Sequence, residues 1–454
     1  MQDFYYLCGK KHFMEKLIIT NFRCFERLDL TLTPGVNLLI GDNASGKTSL
    51  LLACKYAINS FFSGYSDIYT KWVSPHVGDF MRKVDGEKRL NTQPISINFS
   101  FSHDELPGYE ESVGNAGMQS IVCKNEKKPR PLLSGLKEIR GYGKSLISNS
   151  LVQNAHNRIE QRLALPLFAS YSTHGIHKVQ TVVSKYFNEA AQSPSFGYYL
   201  CNSTDGLLPH WIRRMLILTE ADINPVERSV VLDALTTMFG DSGCDVMTRF
   251  DVRVNYKDIV CVFKDGRQTP SAILSDGYRR LFSIVTDLAF RCALLNGLIY
   301  GSEAARLTRG TVIIDEIDLH LHPSLQAVVV KALQRTFPMI QFILSTHAPI
   351  IMSGVEDNGR NCVLYMAYNE HEGYSVSPID TFGMDISTLT ETVLQVPSRD
   401  PSVKKELDIL SQYVDEERYD EAKVLLSEMK EKFGDKIPEL NGIDTRITIE
   451  EAFQ

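Results

Sequence analysis

Apolar and polar residues alternate near the start of the chain in a way that predicts strands. Lys16-Leu17-Ile18-Ile19-Thr20 is one such stretch and Leu28-Asp29-Leu30-Thr31-Leu32 another, followed by a turn at Pro34-Gly35. Compact apolar runs predict buried strands at Val36 to Ile40, Leu165 to Ala169, Thr311 to Ile314 and Gln341 to Leu344, with a further strand at Ile95 to Phe101. Spacings of three and four predict helices: Ser49 to Asn59, a mainly helical stretch from 176 to 247 that includes Trp211, Met215 and Leu218, and a long helix after Leu274 carrying Leu281, Val285, Leu288, Cys292 and Leu295. Near the end, Val403, Leu407, Leu410 and Val414 form one stripe, and Tyr419, Ala422, Leu426, Met429 and Phe433 form a second. No segment repeats at a fixed period and no heptad array is sustained. The expected organisation is a leader over 1–13, with Met14 as an alternative start, and an α/β body over 14–398 with insertions near 60–165 and 176–250. A helical tail over 399–454 completes it.

Composition changes this picture in two places. The chain of 454 residues carries a net charge of −7, and 401–454 alone holds eight Lys/Arg against fourteen Asp/Glu. The body is thus nearly neutral, and overall acidity does not argue against local anion binding. The nine cysteines are odd in number, scattered and without a Cys-x-x-Cys pair, so reduced core thiols are expected rather than a disulfide framework or zinc site. With no apolar run near ~20 residues and no signal-peptide core, no membrane association is expected and the location expected is cytoplasmic.

Candidate chemistry concentrates in four places. Gly41-Asp42-Asn43-Ala44-Ser45-Gly46-Lys47-Thr48 fits a phosphate-binding loop between a buried strand and a helix that opens at Ser49. Glycines let backbone N–H groups curl round an anion, Lys47 reaches terminal phosphates, and the Thr48 hydroxyl can ligate Mg²⁺. Asp315 and Glu316 end a buried strand, where α/β sheets place ligands; Asp315 suits the metal and Glu316 an attacking water. Ser275 is expected to cap the helix that follows it, forming with Gly277 a second anion site. Ser345-Thr346-His347 gives another buried strand a polar end.

Weaker signals surround these. Phe22-Arg23 could stack on a nucleotide base or simply supply a core aromatic and a surface cation. His320 and His322 suggest a metal only faintly. Lys124, Lys127, Lys128, Arg130, Lys137, Arg140 and Lys144 could track a nucleic-acid backbone or line a solvated loop.

In this order the four elements resemble the ABC-type ATPase heads of the SMC/RecF class, as does the opening Leu17-Ile18-Ile19-Thr20-Asn21-Phe22-Arg23. The likeness spans about 15 to 350. It implies a head built on a mixed sheet with flanking helices, a helical insertion and a C-terminal helical tail. It also implies ATP and Mg²⁺ as ligands. Gly41, Asn43, Ala44, Ser45, Gly46, Lys47, Thr48, Ser49 and Arg23 would bind nucleotide, and Thr48 and Asp315 would hold Mg²⁺. Glu316 and His347 would be catalytic, Asp318 would lie in the D-loop, and Ser275 and Gly277 would meet the γ-phosphate held by a second subunit. A homodimer closed on nucleotide, within a higher homo-oligomer, follows from the same likeness.

Only 267 residues separate Thr48 from Asp315, too few for a long coiled coil, and Asn361 to Tyr374 lacks the acid cluster of a Toprim nuclease. The compact head with Leu274-Ser275-Asp276-Gly277, Asp318-Leu319-His320-Leu321-His322-Pro323 and an acidic tail is similar to the PtuA ATPases of Septu and some retron antiphage systems. Those work with a separate HNH nuclease, PtuB, which implies a nuclease partner acting on DNA, with the tail as docking element. The alternative is a RecF-like repair ATPase that clamps DNA directly. Asp276 and Tyr278 depart from transporter-type signatures, which makes binding a safer expectation than fast turnover. Gln161 is a weak Q-loop candidate, and His174-Gly175 replaces the Gly-Arg strand ending usual in related heads.

Overall fold

The computed structural model describes residues 13–452 apart from 82–83, 86–87, 90–92, 102–116, 125–126, 128, 157–162, 174–179 and 190–192. Most of the leader, Lys128, Gln161 and His174-Gly175 therefore lie outside the described residues. The chain divides into two compact units, Met1–Met384 and Asp385–Gln454, against an expected boundary at 399.

The first unit opens with β1 (Met14–Phe22), β2 (Phe25–Thr31) and β3 (Val36–Gly41), continues through a two-residue pair, β4 (Val84–Asp85) and β5 (Lys88–Arg89), and then β6 (Ile95–Phe101) and β7 (Gln119–Cys123). Next come β8 (Leu167–Tyr171), the strands β9 (Met247–Arg253), β10 (Asp258–Phe263) and β11 (Gln268–Pro270), then β12 (Gly310–Ile314), β13 (Ile340–Ser345), β14 (Cys362–Asn369) and β15 (Gly373–Pro378). The central sheet runs β15-β14-β3-β13-β12-β8, parallel from β14 to β8 with β15 antiparallel at one edge. Every residue of β3, β12 and β13 is buried, which is why these strands read as nearly continuous apolar runs. A second, antiparallel sheet, β2-β1-β6-β7, alternates buried and exposed positions as its sequence does. The expected α/β head on a mixed sheet is thus present.

One polar side chain joins the two sheets. Gln341 of β13 donates to the carbonyls of Met14 and Thr33, each at 2.8 Å, and accepts from the Met14 N–H at 3.0 Å. A fully buried amide with its partners met in this way fixes where β1 begins. The body strand expected at 165–169 is shifted two residues, so that Ser170 and Tyr171 belong to β8.

The long helix Asp276–Tyr300 is the main scaffold. It is part of a segment, Asp276–Leu307, long and apolar enough by composition to cross a membrane, but 83% of its apolar window is buried inside the fold. Its Asp287 accepts from the Tyr171 hydroxyl and Trp211 Nε1, each at 2.6 Å, and from Arg291 Nε at 2.8 Å. Arg291 also donates to the carbonyls of Gly197 and Tyr199. This buried ion pair ties β8, the helix Leu208–Glu220 and the turn Pro194–Tyr198 to the scaffold. Such a pair fixes one arrangement, because removing either partner would leave a buried charge unmatched. The helical reading of 176–247 appears as the helices Ser184–Asn188, Leu208–Glu220 and Pro225–Phe239, and the eight described cysteines are free, all but Cys24 buried.

The second unit contains three helices of fourteen or fifteen residues, where two were expected: Pro401–Asp415, Tyr419–Phe433 and Glu439–Ala452. The two predicted stripes pack on each other and on the third helix, with Leu410, Val414, Ala422, Leu426, Met429 and Ile447 buried in one cluster.

Candidate functional site

The phosphate-loop residues follow β3 and lead into the helix Lys47–Asn59. Gly41 and Gly46 have φ of 139° and 93°, and Ala44 has φ of 67°, so the chain bends through the left-handed region three times. A side chain at Gly41 would sit 2.2 Å from the Met366 carbonyl oxygen, and one at Gly46 2.7 Å from the Phe25 ring. Both glycines are therefore required by packing as well as by dihedral. Asn43 and Ala44 are exposed at the loop tip and Ser45 is buried beneath it.

Lys47 lies under this loop, with its ammonium 2.8 Å from the Gly41 and Asp42 carbonyl oxygens and 3.4 Å from Ser45 Oγ. Burial lowers its pKa from the ordinary lysine value, while the carboxylates of Asp42, Asp315, Glu316 and Asp318 act in the opposite direction. Acidic groups from two separate segments, the loop itself and 315–318, thus converge on one cation.

β12 delivers three of those acids, and β13 brings the hydroxyls that hold them. The Thr48 hydroxyl donates to Asp315 Oδ2 at 3.1 Å, and the Ser345 hydroxyl donates to Asp315 Oδ1 at 2.5 Å. Ser345 Oγ in turn accepts the Glu316 N–H at 2.7 Å. Glu316 sits at φ 49°, a left-handed conformation that costs about 1 kcal/mol or more in a residue with a Cβ. It is held there from both sides: Arg280 donates to the Glu316 carbonyl at 2.5 Å and to the Asp315 carbonyl at 2.7 Å. Thr346 Oγ1 donates to Asp318 Oδ1 at 2.7 Å, and His347, exposed at the strand end, brings its N–H to 3.4 Å from the same oxygen.

Lys47, Thr48, Asp315, Glu316, Asp318 and His347 are therefore one constellation. Gly277 joins it differently from expectation. It is buried, and a side chain there would lie 2.4 Å from the His320 carbonyl oxygen, so its bareness serves contact with its own Asp318–Leu321 turn. Ser275 occupies the start of the long helix but makes no side-chain capping hydrogen bond; its hydroxyl is exposed instead of turned back on the helix. Asp276 supplies the negative charge in the first turn.

Other expectations are placed elsewhere. Phe22 is fully buried, edge-on to Tyr56, and is not available to stack on a base. Arg23 donates through Nε to Asp79 at 2.9 Å, and Asp79, itself fully buried, also accepts the Tyr56 hydroxyl at 2.6 Å. The guanidinium remains one-third exposed. Ser49 bonds the Cys24 thiol, whose pKa burial raises. His322 Nδ1 accepts the Ser324 N–H, and no cluster of three or more metal-ligating groups exists among the described residues. Of the basic segment, Lys137, Arg140 and Lys144 belong to the helix Lys137–His156, while Lys124 and Arg130 are exposed in the link before it.

Arg280 was not foreseen as a site residue, and Ser345 and Thr346 were read only as the polar end of a buried strand. Arg280 is a cation on the long helix that the fold leaves only 6% exposed, a burial its place beside the apolar stripe does not reveal in the sequence. Because it grips two successive carbonyls, Arg280→Ala is expected to lower turnover roughly tenfold or more through misplaced carboxylates, with ATP affinity unchanged within threefold. Steady-state hydrolysis and nucleotide titration on the same preparation separate the two. Equal losses in both would show that Arg280 does not act through Glu316.

Comparison with known proteins gives the family. Residues 36–353 match the family model described as "AAA domain, putative AbiEii toxin, Type IV TA system". The chain is 45% identical over 94 residues to the "Retron Vc95 probable ATPase" of Vibrio cholerae, covering 21% of this chain and 18% of that protein. It is 23% identical to the "Retron Ec83 probable ATPase" of Escherichia coli, covering 92% and 83%. The Septu protein PtuA of Bacillus mycoides matches at 25% identity over 81% of this chain and 42% of its own length. The chain thus spans well under half of two of these three relatives. Since the family model covers 36–353, and with it the loop, both acids and the Ser345-Thr346-His347 strand end, this chain belongs to that AAA-domain ATPase family, with retron ATPases and PtuA among its relatives.

Proposed function

We propose that the chain binds ATP with Mg²⁺ and hydrolyses it between two heads, as the cytoplasmic ATPase component of an antiphage complex that holds a separate HNH nuclease acting on DNA. The observation that supports it most is the unbroken hydrogen-bond path Thr48–Asp315–Ser345–Glu316, which joins the phosphate loop to the ends of two strands. A hydroxyl and a carboxylate oxygen 3.1 Å apart suit one hard cation, so Thr48 and Asp315 would hold Mg²⁺. When bound, that ion neutralises charge on the phosphates.

The chain's own residues supply the rest. Lys47 binds the terminal phosphates, exchanging its present carbonyl partners for phosphoryl oxygens. Glu316 orients and deprotonates water, its backbone fixed by Ser345 and Arg280. Ser275, exposed at a helix start, reaches the γ-phosphate of a second copy together with the N–H groups around Gly277. His347 reads the same phosphate.

Residues 399–454 are the docking element for the nuclease. Retron and Septu ATPases among the relatives support this reading. Deleting 399–454 should leave ATP affinity within threefold and abolish co-purification with the HNH protein encoded beside it. Retained co-purification, or DNA cleavage by this chain alone with metal, would overturn the assignment.

A further inference from the structure

The second unit carries a groove that the nucleotide site does not use. It lies between the helices Pro401–Asp415 and Tyr419–Phe433 and has a volume of about 470 Å³. Its apolar lining comes from Ile409, Tyr413, Val424 and Leu425, and its acidic lining from Glu406, Asp420, Glu421 and Glu428. Val424 is 61% exposed, the most exposed large apolar side chain of the second unit.

The four acids are not equivalent. Glu406 is paired with Lys432 at 2.9 Å, and Glu421 with Arg418 at 3.1 Å, the latter cation also stacked on the Tyr413 ring. Asp420 and Glu428 have no ion-pair or hydrogen-bond partner among the described residues, and both are exposed. With Val424 they stand at i, i+4 and i+8 of one helix, so one face presents acid, apolar, acid at successive turns over ~12 Å.

This pattern restricts the occupant. Nucleic-acid phosphates and anionic lipid head groups would be repelled, and a second copy of an equally acidic unit would be too. We infer that the groove docks a helix of another protein presenting a cation, an apolar side chain and a second cation at matching turns. The inference deepens, and rests on, the reading of 399–454 as a docking element. Charged contacts of this kind at an exposed rim set partner choice and weaken as salt rises.

The probe is a fluorescein-labelled sixteen-residue helical peptide with Lys, Leu and Lys at i, i+4 and i+8, beside a counterpart carrying Glu for Lys, titrated against the full chain by anisotropy. The Lys peptide should bind saturably and the Glu peptide at least tenfold more weakly. Asp420→Lys/Glu428→Lys, and separately Val424→Asp, should each lower Lys-peptide affinity at least tenfold. All three positions are exposed, so circular dichroism and nucleotide binding should match the wild type. Absent saturable binding, equal affinity for the two peptides, or an unchanged affinity in the charge-reversed variant would overturn the groove. A nuclease that co-purifies through 399–454 but ignores the charge reversal would discard the groove while keeping the docking role; one that ignores the deletion would discard both.

Discussion

Lys47→Ala is expected to weaken binding of ATP and Mg²⁺ by roughly 100-fold, the ~3 kcal/mol carried by hydrogen bonds from a buried ammonium to charged phosphate oxygens. The structure gives two reasons for so large an effect. Lys47 is only 7% exposed, so solvent screens its charge little. Asp42, Asp315, Glu316 and Asp318 all act on it, and without it one fewer cation offsets their negative charge against an anionic ligand. Titration with a fluorescent ATP analogue measures the change. A loss below threefold would show that the loop binds phosphate through its backbone alone.

Glu316→Gln carries the second large effect. Glutamine keeps the shape and the backbone contacts to Ser345 and Arg280 but cannot accept a proton, so hydrolysis should fall by on the order of 10²–10⁴ while ATP affinity stays within threefold. Phosphate release under saturating ATP reads the first quantity and equilibrium titration the second. Turnover equal to wild type would remove Glu316 as the base. If the wild type itself shows no turnover, ATP acts as a regulatory ligand and Glu316 is silent.

Much of this site was legible because its residues sit at the ends of buried strands, where an apolar run stops abruptly at polar residues. The loop after β3, Asp315-Glu316 after β12 and the Ser345-Thr346-His347 end of β13 all carry that signature, and parallel pairing brings them together at the C-terminal end of the strands. What the sequence concealed depends on contacts between distant segments. Arg280 binds carbonyls 35 and 36 positions away, and Gln341 bonds Met14 across 327 positions. No local periodicity marks either partner.

The fold shows the same division. The antiparallel sheet β11-β10-β9 was not anticipated: β10 is a buried apolar run that went unread, and β9 reads Met-Thr-Arg-Phe-Asp-Val-Arg and is mostly exposed or half-buried. β9 is stabilised by pairing with β10 rather than by a run of its own. The third tail helix was missed for a related reason. Its apolar stripe is short: among the described residues Leu440 and Ile447 join the buried cluster and Ile443 packs against it. Conversely Ser275 shows how a sound local rule can fail. Serine favours the cap position, yet its hydroxyl is left exposed, which suits a residue whose partner lies on another molecule.

That last point can be measured directly. Sedimentation velocity of the Glu316→Gln protein, with and without ATP and Mg²⁺, should show two copies joining only when nucleotide is present. Ser275→Arg should abolish the joining and leave ATP bound to single copies. Association that ignores nucleotide, or that survives Ser275→Arg, would contradict a phosphate site completed by the neighbouring head.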